Sequence, residues 1–204
     1  MQFSMVKNVK DLDSLTELLK GLVGTRITME KYLDYIIFQY EYDDIEEIIN
    51  LFESAAIGLM DNFTAYTQTL VERYNDELYI AKELLPLLPR GSYNLKSALM
   101  SINTINNKKT IINILLKNTG INEDFIKGFA RCDLNVSKAS KELYVHRNTM
   151  NYKLERFYSL TGFDLRNFYD MYILIKLIEE RWKSFFFCAY CTYMKALYWG
   201  KILI

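Results

Sequence analysis

Between Asn122 and Leu160 the sequence asks for three helices joined by turns too short to be anything else, and this run constrains the fold more than any other. Glu123 to Arg131 reads as a short amphipathic helix with Phe125, Ile126, Phe129 and Ala130 on its inner side. Asn135-Val136-Ser137 then offers a cap, with Ser137 the simplest N-cap, and Lys138 to Leu143 forms a second short helix. Its Ala139 is small enough to let another helix cross closely. Tyr144-Val145-His146 serves only to reorient the chain. From Arg147 to Leu160, Met150, Leu154 and Phe157 recur at i, i+4 and i+7, so this stripe faces a core. Two helices across a tight turn, the second longer and more polar outside, describe a helix-turn-helix.

The outward face of the second helix carries the chemistry. At about 100° per residue, Asn148, Tyr152 and Glu155 lie opposite the apolar stripe, flanked by Thr149, Asn151 and Arg156. His146 and Arg147 stand at the N-terminal end. An Arg can grip guanine O6 and N7 together, an Asn adenine N6 and N7, and a Thr can reach a phosphate or a thymine methyl. Helix N-termini also favour phosphate. The chain has no net charge, yet Leu134 to Arg156 sets Lys138, Lys141, Arg147, Lys153 and Arg156 against Glu142 and Glu155. A local cationic excess of this kind suits a polyanion. The bland reading makes Lys138 and Lys141 a solvated face, Tyr152 a packing residue beside the turn and Arg147, Asn148 and Thr149 a hydrated helix start. The surrounding pattern favours DNA contact for that helix start.

The run from Leu134 through Val145-His146-Arg147-Asn148-Thr149, Tyr152, Leu154-Glu155-Arg156 and Leu160-Thr161-Gly162-Phe163-Asp164-Leu165 resembles the C-terminal helix-turn-helix of PucR-type regulators, the group of purine-catabolism and sugar-diacid regulators. It is more distantly similar to the helix-turn-helix of the nucleoid protein Fis. The resemblance implies a bacterial transcription regulator that holds double-stranded DNA through Arg147, Asn148, Thr149 and their neighbours, usually as a homodimer. Asn151 and Lys153 stand where that family commonly has Arg. Fewer fixed guanidinium groups weaken bidentate recognition at those positions without touching the fold. Relatives of this type also carry upstream sensory domains, and residues 1–121 carry no motif that identifies one, so no effector is implied.

Composition sets the wider expectation. With 8 Gly and 2 Pro in 204 residues, helix breakers are scarce, which predicts an all-α, mostly helical chain. Leu12, Leu15, Leu18 and Leu19 form one helical stripe before Gly21 and Gly24. Ile45, Ile48, Ile49, Leu51 and Phe52 form another behind Glu41 to Asp44. Met29 to Tyr40 fits helix and strand periods each in part, and Ala55 to Tyr79 reads as one or two helices. The stretch 85–93, with Pro86, Pro89 and Gly91, breaks the pattern as a loop. Lys96 to Asn103 and Lys108 to Asn118 look helical. Phe168 to Trp182 is apolar almost all round, so something besides its own domain must cover it, either the N-terminal region or, slightly favoured, a second subunit. The expected organisation is a helical N-terminal region over 1–121, a helix-turn-helix domain over 122–183 and an apolar tail over 184–204.

The chemistry of other classes is missing. One His and three Cys, Cys132, Cys188 and Cys191, suit neither His-based catalysis nor a four-ligand zinc site. No carboxylate pair, activated nucleophile or phosphate loop stands in a coherent context, so no enzyme, cofactor or metal is expected. The N-terminus lacks the apolar run of a signal peptide, which makes a cytoplasmic address the default. In the tail, Lys195 and Lys201 argue against bilayer insertion, and membrane contact there is the weaker expectation. The expected function is a sequence-specific DNA-binding transcription regulator reading the major groove with a helix over 147–160. The alternative is a non-enzymatic interaction or membrane-associated adaptor that keeps the fold without useful DNA affinity. A small-molecule sensor among the aromatics from Tyr32 to Tyr42 is a third reading, and core packing accounts for those rings more simply.

Overall fold

The computed structural model describes residues 2–24, 26–59, 61–70 and 73–179. It opens with a strand, which an all-α chain would not contain. Strand β1 (Gln2–Lys7) is central to a five-stranded sheet with β2 (Thr28–Tyr32), β3 (Tyr35–Tyr40), β4 (Thr64–Thr67) and β5 (Gly91–Tyr93), in the order β2-β3-β1-β4-β5. β1 runs antiparallel to β3 and β4, β2 antiparallel to β3, and β5 parallel to β4. Helices α1 (Leu12–Val23) and α2 (Ile45–Gly58) connect β1 to β2 and β3 to β4, giving a split β-α-β arrangement. Helix α3 (Tyr74–Leu84) and a 3-10 turn over Leu85–Leu87 make the crossover that parallel β5 requires.

This sheet overturns the all-α expectation, and the reason is its double covering. Val6, Phe38, Tyr40 and Ala65 pack against Leu15 and Leu19 of α1 and Ile48 and Phe52 of α2. Phe3, Met5, Ile37 and Tyr66 face the opposite way, into a cluster with Ile80 and Leu84 of α3. A strand buried on both faces loses the alternation that betrays a strand in sequence. All four residues of β4 are buried, and β4 lies inside the stretch from Ala55 to Tyr79 that reads as helix. Met29 to Tyr40 resolves into the β2-β3 hairpin, closed by a two-residue loop with Leu33 at φ 54°. Scarce Gly and Pro exclude a turn-rich sandwich; they do not exclude strands joined by helices.

Buried polar groups fix the sheet's exits. Ser4 Oγ lies 2.6 Å from Tyr40 Oη and 3.0 Å from Thr67 Oγ1. The fully buried Glu77 carboxylate accepts hydrogen bonds from Tyr66 Oη at 2.9 Å, from Thr69 N and Oγ1, and from Leu70 N. Burial pushes its pKa up, while those donors oppose the shift.

Six further helices follow: α4 (Leu95–Ser101), α5 (Lys108–Leu116), α6 (Glu123–Arg131), α7 (Val136–Glu142), α8 (Arg147–Thr161) and α9 (Phe168–Ile178). Met171, Ile173, Leu174, Ile175 and Leu177 of α9 are all buried. Their cover comes from this chain, since α9 packs against α4 and α5 as well as α6. One apolar cluster therefore runs from Phe3 and Met5 through Leu99, Ile111 and Ile112 to Leu174, Leu154 and Met150.

Polar contacts register α9 on α4. Lys96 Nζ sits 2.7 Å from Asp170 Oδ2, which also accepts the Asp164 N–H at 2.7 Å. Farther along, the buried Lys176 ammonium donates to Leu99 O at 2.9 Å and to Ile102 O, carbonyls at the C-terminal end of α4. Cations suit that end of a helix, where carbonyls lack intrahelical partners. Residues 96 and 170 and residues 102 and 176 share one sequence offset, so the helices run side by side in the same direction. Burial, reinforced by nearby Lys108, lowers the Lys176 pKa from its ordinary value. Lys176→Met keeps the buried stem but strands both carbonyls, and urea unfolding is expected to show a loss of about 1 to 3 kcal/mol. An unchanged midpoint and slope would contradict this role.

Candidate nucleic-acid interface

The three helices α6, α7 and α8 are built by caps and close contacts. Asn122 starts α6 by accepting from Phe125 N at 2.9 Å, and Phe125, Ile126 and Phe129 are buried. The chain leaves α6 through Asp133 and Leu134, both left-handed at φ 56° and 58°. Asn135, not Ser137, then caps α7: its Oδ1 accepts from Ser137 N at 2.9 Å and Lys138 N at 3.1 Å. Ser137 lies one residue inside the helix, so its amide is capped rather than its side chain capping. Ala139 is fully buried, as a close helix crossing requires. Gly128 of α6 is a second close approach, where an added Cβ would meet Leu143 Cδ2 at 2.6 Å. The sequence marks it only as a glycine inside a helical pattern.

Tyr144 turns the chain at φ 51°, and His146 Nδ1 accepts the Asn148 N–H at 3.2 Å to begin α8. Met150, Leu154 and Phe157 are fully buried. Gly162 ends the helix at φ 73°, its N–H donating to Tyr158 O at 2.7 Å. That left-handed position is where a residue without Cβ stops a helix at least cost.

Burial of that stripe turns Arg147, Asn148, Thr149, Asn151 and Tyr152 to solvent, next to exposed His146. The other cations expected at the surface divide into two groups. Lys138 pairs with Asp133 at 2.6 Å; Lys153 Nζ donates to Gly120 O at 2.8 Å and lies 5.6 Å from the Phe125 ring; Arg156 Nη2 donates to Asn118 O at 2.9 Å. Lys153 and Arg156 thus brace α8 against the α5-α6 corner. Lys141 and Arg147 are exposed and have no ion pair among the described residues. They flank the turn between α7 and α8. Farther along α8, Glu155 meets Arg166 at 2.7 Å, and Arg166 also holds Asp164 at 2.9 Å. Burial raises the Asp164 pKa less than the Arg166 hydrogen bonds and charge lower it, so the carboxyl stays below its usual range. Sequence reasoning missed Arg166 because it stands one residue past the pattern that ends at Leu165, although its partners Glu155 and Asp164 lie within it.

Among the described residues no group of His, Cys, Asp and Glu could hold a metal ion, and no helix is long and apolar enough to cross a membrane. The expectations for the tail over 184–204, for Cys188 and Cys191, and for the last residues of the 168–182 helix lie outside the described residues.

Comparison with known proteins agrees with this geometry where it is most regular. Residues 124–174 match the family model of the PucR C-terminal helix-turn-helix domain. The carbohydrate diacid regulator of Escherichia coli (strain K12) is 38% identical over 69 residues, covering 32% of this chain and 18% of that protein. The match therefore spans less than a fifth of that relative's length. The crystal structure of a regulator of polyketide synthase expression from Bifidobacterium adolescentis superposes with a TM-score of 0.42 at 17% identity, covering 86% of this chain and 77% of that one. Residues 124–174, with α8 as their longest helix, are a helix-turn-helix domain of the PucR C-terminal type.

Proposed function

We propose that the chain is a sequence-specific, non-enzymatic transcription regulator that places α8 in the major groove of double-stranded DNA. One observation carries the reading: burial of Met150, Leu154 and Phe157 leaves Arg147, Asn148, Thr149, Asn151 and Tyr152 exposed together, and neither Arg147 nor nearby Lys141 has an ion pair among the described residues. Arg147 and Asn148 are the base readers, with Thr149, Asn151 and Tyr152 following them along the groove. Lys141 and His146 meet phosphate. Ser137 and Lys138 do so at the start of α7, Lys138 after releasing Asp133. Lys153 and Arg156 reach the backbone only by releasing the carbonyls of Gly120 and Asn118. The DNA-binding unit takes in 122–183, and residues 1–121 supply the remainder of the regulator. A cytoplasmic location accompanies this reading.

The adaptor reading draws on the same inventory: three of the five expected cations are occupied within the protein, which lowers the fixed charge offered to a polyanion. Binding data separate the two. Arg147→Ala is expected to weaken the preferred duplex by about 1 to 3 kcal/mol and relax its base preference. Lys141→Ala is expected to weaken all duplexes alike and reduce the salt slope by about 1. Equal losses on every sequence from both substitutions would contradict base reading by Arg147.

A homodimer on a two-fold-related site completes the proposal, because pairing two half-sites raises affinity and specificity together. The burial of α9 within one chain no longer requires a second subunit, so the dimer rests on DNA symmetry. Sedimentation of the chain with and without duplex is expected to give two copies per operator. One copy per duplex at saturating protein would remove the dimer from the account.

A further inference from the structure

We propose that Tyr144 is a DNA-backbone contact, its phenol hydroxyl donating to a phosphate oxygen of the duplex that α8 engages. This inference rests on the DNA-binding reading above. Tyr144 sits at φ 51° with 96% of its surface exposed, and its hydroxyl makes no hydrogen bond to the described residues. Left-handed backbone crowds Cβ against the carbonyl, so a bulky residue is disfavoured there and Gly or Asn is the inexpensive choice. The other left-handed residues have an evident reason. Asn8, Asn118 and Asp133 belong to the types that tolerate the conformation. Leu134 packs against the core, and Leu33 closes a two-residue hairpin loop. Tyr144 ends α7 in a left-handed cap, with the Val145 N–H donating to Ser140 O at 3.0 Å, a task Gly or Asn performs at less cost, and its ring buries nothing in exchange. A strained residue held at a binding surface points to a task performed there.

Position gives the task. Tyr144 N donates to Lys141 O at 3.4 Å, so the ring projects from the turn directly after α7. Lys141 and Arg147, exposed cations whose side chains make neither a hydrogen bond nor an ion pair among the described residues, lie three residues to either side. A duplex that meets both passes the turn between them. Tyrosine hydroxyls are regular donors to phosphate oxygens, and such contacts fix register without reading sequence. The donor is neutral and displaces no counterion, which separates it from Lys141.

The test compares the unsubstituted chain with Tyr144→Asn and Tyr144→Phe, in thermal melts and in titrations of two unrelated duplexes across a salt series. Tyr144→Asn is expected to melt at the same temperature or a few degrees higher, yet to bind both duplexes roughly three- to tenfold more weakly with an unchanged salt slope. Tyr144→Phe keeps the strain and the ring but loses the donor; it is expected to bind as weakly as the Asn variant. Full affinity in either variant overturns the proposal. So does a loss confined to one duplex, or a lower melting temperature in Tyr144→Asn that accounts for its weaker binding. Failure of the unsubstituted chain to bind any duplex is a different result: it overturns the DNA-binding reading itself, and this contact with it.

Discussion

The burial of α9 organises the molecule. A helix carrying Met171, Ile173, Leu174, Ile175 and Leu177 needs cover on more than one flank, and among the described residues α6 covers one part and α4 and α5 another. Burying five such side chains contributes on the order of 10 kcal/mol before chain entropy is subtracted. The consequence reaches beyond stability. α6 packs on α7, and α7 on α8, so whatever fixes α9 on the sheet's side of the molecule also fixes the direction in which α8 points. Lys96 with Asp170 at one end, and Lys176 on the α4 carbonyls at the other, set the register that apolar contact alone leaves free. Buried polar pairs of this kind specify one arrangement among several that bury similar area.

Electrostatics at the exposed face of α8 is spare. Much of the positive charge near the helix-turn-helix is already engaged, by Asp133 or by carbonyls of the α5-α6 corner. Binding of a polyanion then depends on few released counterions, and discrimination depends on the short polar row at the start of α8. The free edge of the sheet is unlike this face. β2 is exposed along its whole length and carries Glu30 and Lys31 mid-strand, charges that discourage pairing with another edge.

The helix-turn-helix was legible because several local signals agree there: the Met150, Leu154 and Phe157 stripe and the small Ala139 found their expected places. Ser137 as a cap was a near miss, since Asn135 also has a suitable side chain and stands at the true boundary. The sheet was not legible. Tyr66 and Ala65 point to opposite faces, yet both are buried, so β4 presents no polar side to the reader of its sequence. Long-range pairing decides such segments; Ser4 meets Thr67 across the sheet, a contact no local period encodes. The roles of Lys153 and Arg156 were hidden for a similar reason, because their carbonyl partners at Gly120 and Asn118 come from the preceding corner.

The central claim is that α8 reads DNA sequence, and selection of duplexes from a random pool by the 204-residue chain at near-physiological salt tests it most directly. The account predicts enrichment of a defined sequence with two related half-sites about one helical turn apart. Recovery of a pool no different from the input would contradict it, and would leave the helix-turn-helix as a scaffold whose polar face serves another partner.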